Sequence, residues 1–359
     1  MPKLFIPGPT EVYPELLAAQ IQQMIGHRGK AYATLHEGIE KKLQQLMFTK
    51  NRVFIGTCSA TGMIEAALRN AVKNKVLVCA NGFFAKKWAT VARQCGIASV
   101  TLDYDLGKAV KAADVEKSLA EDPEIDAVML THSETSTGVL SPLKEIAAVV
   151  KKFPNVVLLV DTVSSFAAAE IRVDEWGIDL ILFGMQKALA LPPGLAFASV
   201  SPEIMQRSAE QPEGRKGHYF DFMIWEKDAA KFNTSITPAV SLLFALDKQL
   251  DNIVREGMEN RWQKHLKMQQ MTQDWVKKHG LTYFSEEGFH SPGVSVINND
   301  KGWNIGEINK KLEAEYNMVI ANGYKDLKEK TFRIGHMGDH QPEDIAELLG
   351  NLDKIISTL

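Results

Sequence analysis

The chain has 359 residues, 45% of them hydrophobic and 24% charged, with a formal net charge of −3. That length suits two domains with a sizeable core, and the near-neutral balance leaves neither a basic footprint for nucleic acid nor a like-charge tail. Three cysteines (Cys58, Cys79 and Cys95) form no disulfide framework and no metal-ligand spacing; without a signal-peptide pattern or an apolar run near the roughly 20 residues of a membrane span, a cytoplasmic protein with no metal is expected.

Residues 1–20 read as an N-terminal arm, because Pro7-Gly8-Pro9-Thr10 cannot be regular helix. A helix follows, with Leu35, Ile39, Leu43 and Leu46 recurring on one face. Short apolar runs then alternate with helical patterns, at 53–56, 76–79, 127–130, 156–160, 180–183 and 195–200. Runs that are apolar throughout suit strands covered on both faces. Residues 21–250 are therefore expected to form a large α/β domain, a mostly parallel sheet covered by helices. Beyond about residue 240 a charged helical stretch runs from Pro238 past Trp275. Strand patterns at 293–297, 318–320 and 331–334, with helices near 304–315 and 342–356, predict a smaller α+β domain over 251–359, with the arm packed on it.

In an open parallel sheet, ligands sit beyond the carboxyl ends of the strands. The residues after each run are therefore the candidates. Asp161-Thr162-Val163-Ser164-Ser165 follows one run and Gly184-Met185-Gln186-Lys187 the next, which puts an acid and a lysine at strand ends. Thr57-Cys58-Ser59-Ala60-Thr61-Gly62 enters a helix, Asn81-Gly82-Phe83-Phe84 follows another run, and Thr131 to Gly138 is rich in hydroxyls. A lysine amine can form an imine with an aldehyde cofactor. An acid can keep a pyridine nitrogen protonated, a small-residue helix start can bind phosphate, and Phe84 can stack on a ring. Each residue alone has an ordinary reading: Lys187 as a solvated lysine, Asp161 as a cap, Phe84 as core, His27 and His132 as hydrogen-bonding histidines. The joint arrangement favours the cofactor reading.

At these residues the chain resembles the class V aminotransferases, pyridoxal-phosphate (PLP) enzymes of fold type I. Gly184-Met185-Gln186-Lys187-Ala188-Leu189 with Pro192-Pro193-Gly194 is similar to the family's cofactor segment. Asp161-Thr162-Val163-Ser164-Ser165, the Thr131–Gly138 loop, Pro7-Gly8-Pro9 and Phe332-Arg333-Ile334-Gly335-His336-Met337-Gly338 also match. Met185 departs from the small or hydroxyl residue common there. The resemblance implies Lys187 as the Schiff-base lysine and proton shuttle, and Asp161 on the pyridinium nitrogen. It implies Val163 under the ring, Phe84 above it, Thr135 on the ring hydroxyl, and Ser59, Ala60, Thr61 and Gln186 on the phosphate. Arg333 is implied for the substrate α-carboxylate. Asn233 and Thr234 are implied to reach the phosphate from a partner subunit, hence a homodimer with shared sites.

Substrate signals diverge. Gly323-Tyr324 before Arg333, and Asn81-Gly82, resemble the alanine–glyoxylate and serine–glyoxylate (or pyruvate) branch. Gly26-His27-Arg28-Gly29-Lys30 resembles a phosphoserine aminotransferase segment, in which His27 and Arg28 would bind a substrate phosphate. The same pair could take a distal carboxylate, or only pin the arm. The expectation is amino transfer from serine or alanine to glyoxylate or pyruvate. The alternatives are phosphoserine:2-oxoglutarate transfer and a non-catalytic subunit that keeps the fold. The lack of any cysteine after Cys95 argues strongly against cysteine desulfurase activity.

Overall fold

The computed structural model describes residues 1–358. The arm carries strand β1 (Lys3–Phe5) and a short helix α1 (Pro14–Ala19), and α2 (Lys30–Met47) follows. Next come β2 (Arg52–Gly56), α3 (Ala60–Ala71), β3 (Lys75–Ala80), α4 (Phe83–Gln94) and β4 (Ala98–Asp103). Then β5 (Ile125–Thr131) leads to a hairpin of β6 (Ser133–Glu134) and β7 (Val139–Leu140). The large sheet is completed by β8 (Val157–Asp161), β9 (Leu180–Gly184) and β10 (Ala196–Val200). Late in the chain lie β11 (Val294–Asn298), β12 (Met318–Asn322) and β13 (Thr331–Gly335).

All six apolar runs are strands of one seven-stranded sheet, ordered β2-β10-β9-β8-β5-β3-β4. Their side chains alternate between two cores: Leu77 and Cys79 of β3 face one, Val76 and Val78 the other. Helices cover both faces, which is why these strands are apolar throughout. Strand β4 has no such signature. It is the sheet's edge, and Ala98-Ser99-Val100-Thr101 lies exposed.

The topology sets where a ligand can bind. Strands β4, β3, β5, β8 and β9 run parallel. Strand β10 is antiparallel to both β9 and β2, with Ala196 opposite Gly184 and Gly56. The carboxyl end of β2 therefore joins those of the parallel strands. The chain's winding reverses between β3 and β5, the position where a crevice forms.

A second sheet, β1-β12-β13-β11, has its own core, with Phe5, Ile320, Phe332 and Ile334 packed under the flanking helices. The arm contributes its edge strand, since β1 pairs in parallel with β12. The helical stretch after Pro238 is two helices, Val240–Glu256 and Met258–Lys278, separated at Gly257, whose φ of +80° a side chain would resist. The expected division after residue 250 falls inside the first of them.

Candidate active site

Five strand ends converge on one cleft of about 630 Å³ of atom-free space. The turn after β2 delivers Ser59, Ala60 and Thr61 to it at the start of α3. Ser59 makes no side-chain cap, so the leading N–H groups of α3 and the positive end of its dipole are available to an anion.

After β3, the Asn81-Gly82 turn starts α4. Gly82 is dictated by a close approach, because a Cβ there would lie 2.3 Å from Glu134 Cγ. Glu134 Oε2 accepts from the N–H groups of Phe84 (3.0 Å) and Ala85 (2.9 Å), while Oε1 accepts from the N–H (3.0 Å) and hydroxyl (2.6 Å) of Ser136. This carboxylate caps α4 from another segment. Burial raises its pKa against those hydrogen bonds. Phe84, Lys87 and Trp88 then share one helix face. Phe84 and Lys87 line the cleft, and the buried Trp88 donates from Nε1 to Asp161 Oδ2 at 3.3 Å.

Asp161 ends β8, and its Oδ1 accepts from Val163 N–H at 2.9 Å. Burial raises its pKa, opposed by the bonds from Val163 and Trp88 and by the charges of Lys187 and Lys87. Thr131 lies beside it in register across β5 and β8, with a buried hydroxyl that has no hydrogen-bond partner among the described residues. The hydroxyls of Thr135 and Ser164 bond to each other.

Lys187 follows β9, and its Nζ donates to Pro7 O of the arm. Thr10 fixes the arm there, its N–H bonding Gln186 O at 3.2 Å and its hydroxyl bonding Lys187 O at 3.0 Å. Gly8 sits between them at φ +118°, where a Cβ would lie 2.9 Å from both Gln186 O and Lys187 Cδ. Burial, and then the charge of Arg333, lower the Lys187 pKa to about 8, with Asp161 and Glu134 acting the other way.

Ser59, Ala60, Thr61, Phe84, Thr135, Asp161, Val163, Gln186 and Lys187 thus line a single cleft, as the strand-end argument expects. Arg333 stands just outside it on β13, half-buried. Its Nε donates to Asn322 O at 3.0 Å, and no carboxylate pairs with its terminal nitrogens among the described residues. Its guanidinium lies 5.6 Å from the Tyr324 ring, which stacks on Phe84 with centroids 5.2 Å apart. Asn233 and Thr234 are elsewhere, in a separate cleft with Tyr32, His36 and Trp225. His27 and Arg28 lie outside the cleft between α1 and α2, Arg28 exposed and His27 Nε2 buried without a partner. Sequence reasoning assigned no role to Lys87, Trp88, Glu134, Thr131 or Tyr324. The spacing of Lys87 and Trp88 from Phe84, three and four residues along a helix, was the available signal for two of them. Among the described residues no cluster of metal-ligand side chains forms, and no helix is long and apolar enough to cross a membrane.

The family model described as aminotransferase class-V matches residues 10–334. An uncharacterized aminotransferase from Methanocaldococcus jannaschii is 36% identical over 359 residues, covering 99% of this chain and 93% of the relative. A serine–glyoxylate aminotransferase from Methylorubrum extorquens is 31% identical over 347 residues, covering 94% and 86%. The crystal structure of an alanine–glyoxylate aminotransferase from Nostoc sp. matches with a TM-score of 0.93 at 26% identity, covering 99% of this chain and 95% of that one. The cleft itself fits PLP. Asp161 is a buried carboxylate held only by neutral donors and lacks a cationic N–H, Thr131 has an orphaned hydroxyl, and α3 offers free N–H groups to a phosphate. The chain belongs to the class V aminotransferases, PLP-dependent enzymes of fold type I that move amino groups between amino acids and 2-oxo acids.

Proposed function

We propose that the enzyme takes its amino group from serine or alanine and passes it to glyoxylate or pyruvate, in two half-reactions at the Lys187 cleft. PLP, when bound, supplies the electron sink that makes the amino acid's α-proton acidic. The protein's part is positioning and proton transfer. Lys187, whose lowered pKa leaves much of it neutral near pH 8, takes the α-proton. Of the residues lining the cleft, Asp161 would hold the cofactor nitrogen protonated, Thr131 and Thr135 would offer hydroxyls to the ring substituents, Ser59, Ala60, Thr61 and Gln186 would hold the phosphate, and Val163 and Phe84 would pack on the ring.

The observation that carries the substrate reading is Arg333. Among the described residues its planar fork has no carboxylate partner; the Tyr324 ring lies 5.6 Å from its guanidinium and stacks on Phe84. A fork suits an α-carboxylate, and aromatic rings beside it favour a small, uncharged substrate side chain. Asn233 and Thr234 lie outside this chain's own cleft. Their separation supports a homodimer in which they complete the partner's phosphate site. The exposed apolar residues Tyr13 and Leu17 of the arm, with Ile21 and Met24 just after it, support the same assembly. Three free cysteines support a cytoplasmic location.

The test is a half-reaction panel, following the cofactor's absorbance on addition of serine, alanine, aspartate or phosphoserine. Serine and alanine should react fastest. Phosphoserine far ahead of serine, with the advantage erased by His27→Ala and Arg28→Ala, would replace this reading with phosphoserine:2-oxoglutarate transfer. No reaction with any amino acid would favour a non-catalytic subunit.

A further inference from the structure

The phosphate end of the cleft holds one charged side chain beyond the expected set. Lys87 lies one turn along α4 from Phe84 and shares its face. Its Nζ donates to Thr61 Oγ1 at 2.6 Å, and it lines the cleft beside Ser59 and Ala60. The adjacent Lys86 pairs with Asp103 at 3.4 Å, whereas Lys87 has no carboxylate within ion-pair distance among the described residues.

The other groups at this end are neutral: the first N–H groups of α3, the hydroxyls of Ser59 and Thr61, and the Gln186 amide. A helix N-terminus carries about half a positive charge, whereas a phosphate monoester carries about −1.5 to −2. With a net charge of −3 the whole molecule exerts no general pull on an anion. The compensating cation must be local, and Lys87 is in position. Its bond to Thr61 has a second effect. The Thr61 hydroxyl accepts from Lys87, so its own proton is free to donate into the cleft, and a donor polarised in this way is a stronger one. The charge of Lys87 is also felt at Asp161, whose pKa it helps to hold down.

We infer that Lys87 is a phosphate-binding residue of this enzyme: with Thr61 it pairs with the cofactor's phosphate monoester, from the same face of α4 that presents Phe84 to the ring. The inference rests on this cleft being the cofactor site.

The test uses two ligands that form no imine, pyridoxamine phosphate and pyridoxamine, which differ only in the phosphate. Dissociation constants are measured by calorimetry on the full chain stripped of cofactor, for the unaltered protein, Lys87→Gln and Lys87→Arg. Lys87→Gln should lose about ten- to hundredfold in affinity for pyridoxamine phosphate, the scale of one charge-assisted hydrogen bond. It should bind pyridoxamine unchanged, which also shows that it folds. Lys87→Arg should retain most of the phosphate preference. In the holoenzyme, phosphorus NMR should show the bound phosphate titrating at higher pH in Lys87→Gln, because the dianion has lost its cation. Equal losses for both ligands, or an unchanged phosphate preference, would overturn the role of Lys87. An unaltered protein that fails to prefer the phosphorylated ligand would overturn the cleft assignment with it.

Discussion

Burial and the charge of Arg333 hold the Lys187 amine at a pKa of about 8, against an ordinary lysine value of 10.5. In cofactor-free protein, acylation of Lys187 should therefore rise with pH through about 8, well before the other lysines react. Arg333→Gln removes the cationic neighbour, so the midpoint should move upward. A midpoint that stayed or fell would show that Arg333 is electrostatically remote from Lys187. Gly8 provides a steric test of the same residue. Gly8→Ala places a methyl group against Lys187 Cδ and Gln186 O at a φ that alanine resists. We expect a stability loss of about 1–3 kcal/mol, read by denaturant midpoint, together with a sharp fall in the α-proton removal rate. Full activity in Gly8→Ala would mean that the arm moves aside at no cost.

At the scale of elements, α4 carries three tasks on one face, and its start is set by Glu134 rather than by its own N-cap. Glu134→Ala leaves the N–H groups of Phe84 and Ala85 buried without an acceptor, at about 1–3 kcal/mol. Hydrogen exchange at those two amides should accelerate and cofactor affinity should fall. Unaltered exchange would place the origin of α4's rigidity elsewhere. This helix also marks how far the sequence could be read. Strands covered on both faces are legible because every residue in them is apolar, and the acid and lysine at their ends follow from topology. Strand β4, exposed at the edge, has no such pattern. The break at Gly257 was hidden because both flanking stretches are good helix. Glu134 was hidden because its contact spans fifty residues, and such a cap exists only once the sheet has formed. Asn233 and Thr234 resemble a family segment but line a separate cleft of this chain, and local pattern does not encode which cleft a distant residue reaches.

For the molecule as a whole, buried histidines, His132 and His336 among them, set an acid limit. Burial lowers the pKa of His132 to about 3 and that of His336 to about 4, from 6.5. Both are neutral when folded, so as pH falls below about 6.5 the unfolded chain binds protons that the folded one refuses. Their contribution is present above that pH and is lost progressively towards pH 4, at about 1.4 kcal/mol per unit for each histidine. The buried carboxyls of Glu134 and Asp161, with raised pKa values, act in the opposite direction. The clean measurement is therefore a difference: urea midpoints of His336→Gln should fall less steeply than those of the unaltered protein between pH 6.5 and 4. Parallel curves would mean that His336 can take a proton in place. The proposed homodimer can be tested just after the arm, where Ile21 is 86% exposed. Ile21→Glu should lower the sedimentation mass towards a monomer, and an unchanged mass would move the subunit contact away from this stretch.

The arm also ties the site to the order in which the chain is made. Lys3 to Phe5 must wait for Met318 to Ile320 before they have a strand to pair with. Until then nothing from the second sheet holds Pro7 against the Lys187 amine. Contacts so distant in sequence form late. A nascent chain can therefore complete the large sheet, with Asp161 and Lys187 already at its carboxyl ends, while the arm that brings a carbonyl to the amine is held there through Thr10 alone. The lysine's surroundings are completed only once residues 318–320 have been made, and a ribosome stalled before residue 318 would present the strand-end residues with the arm tied at one end only.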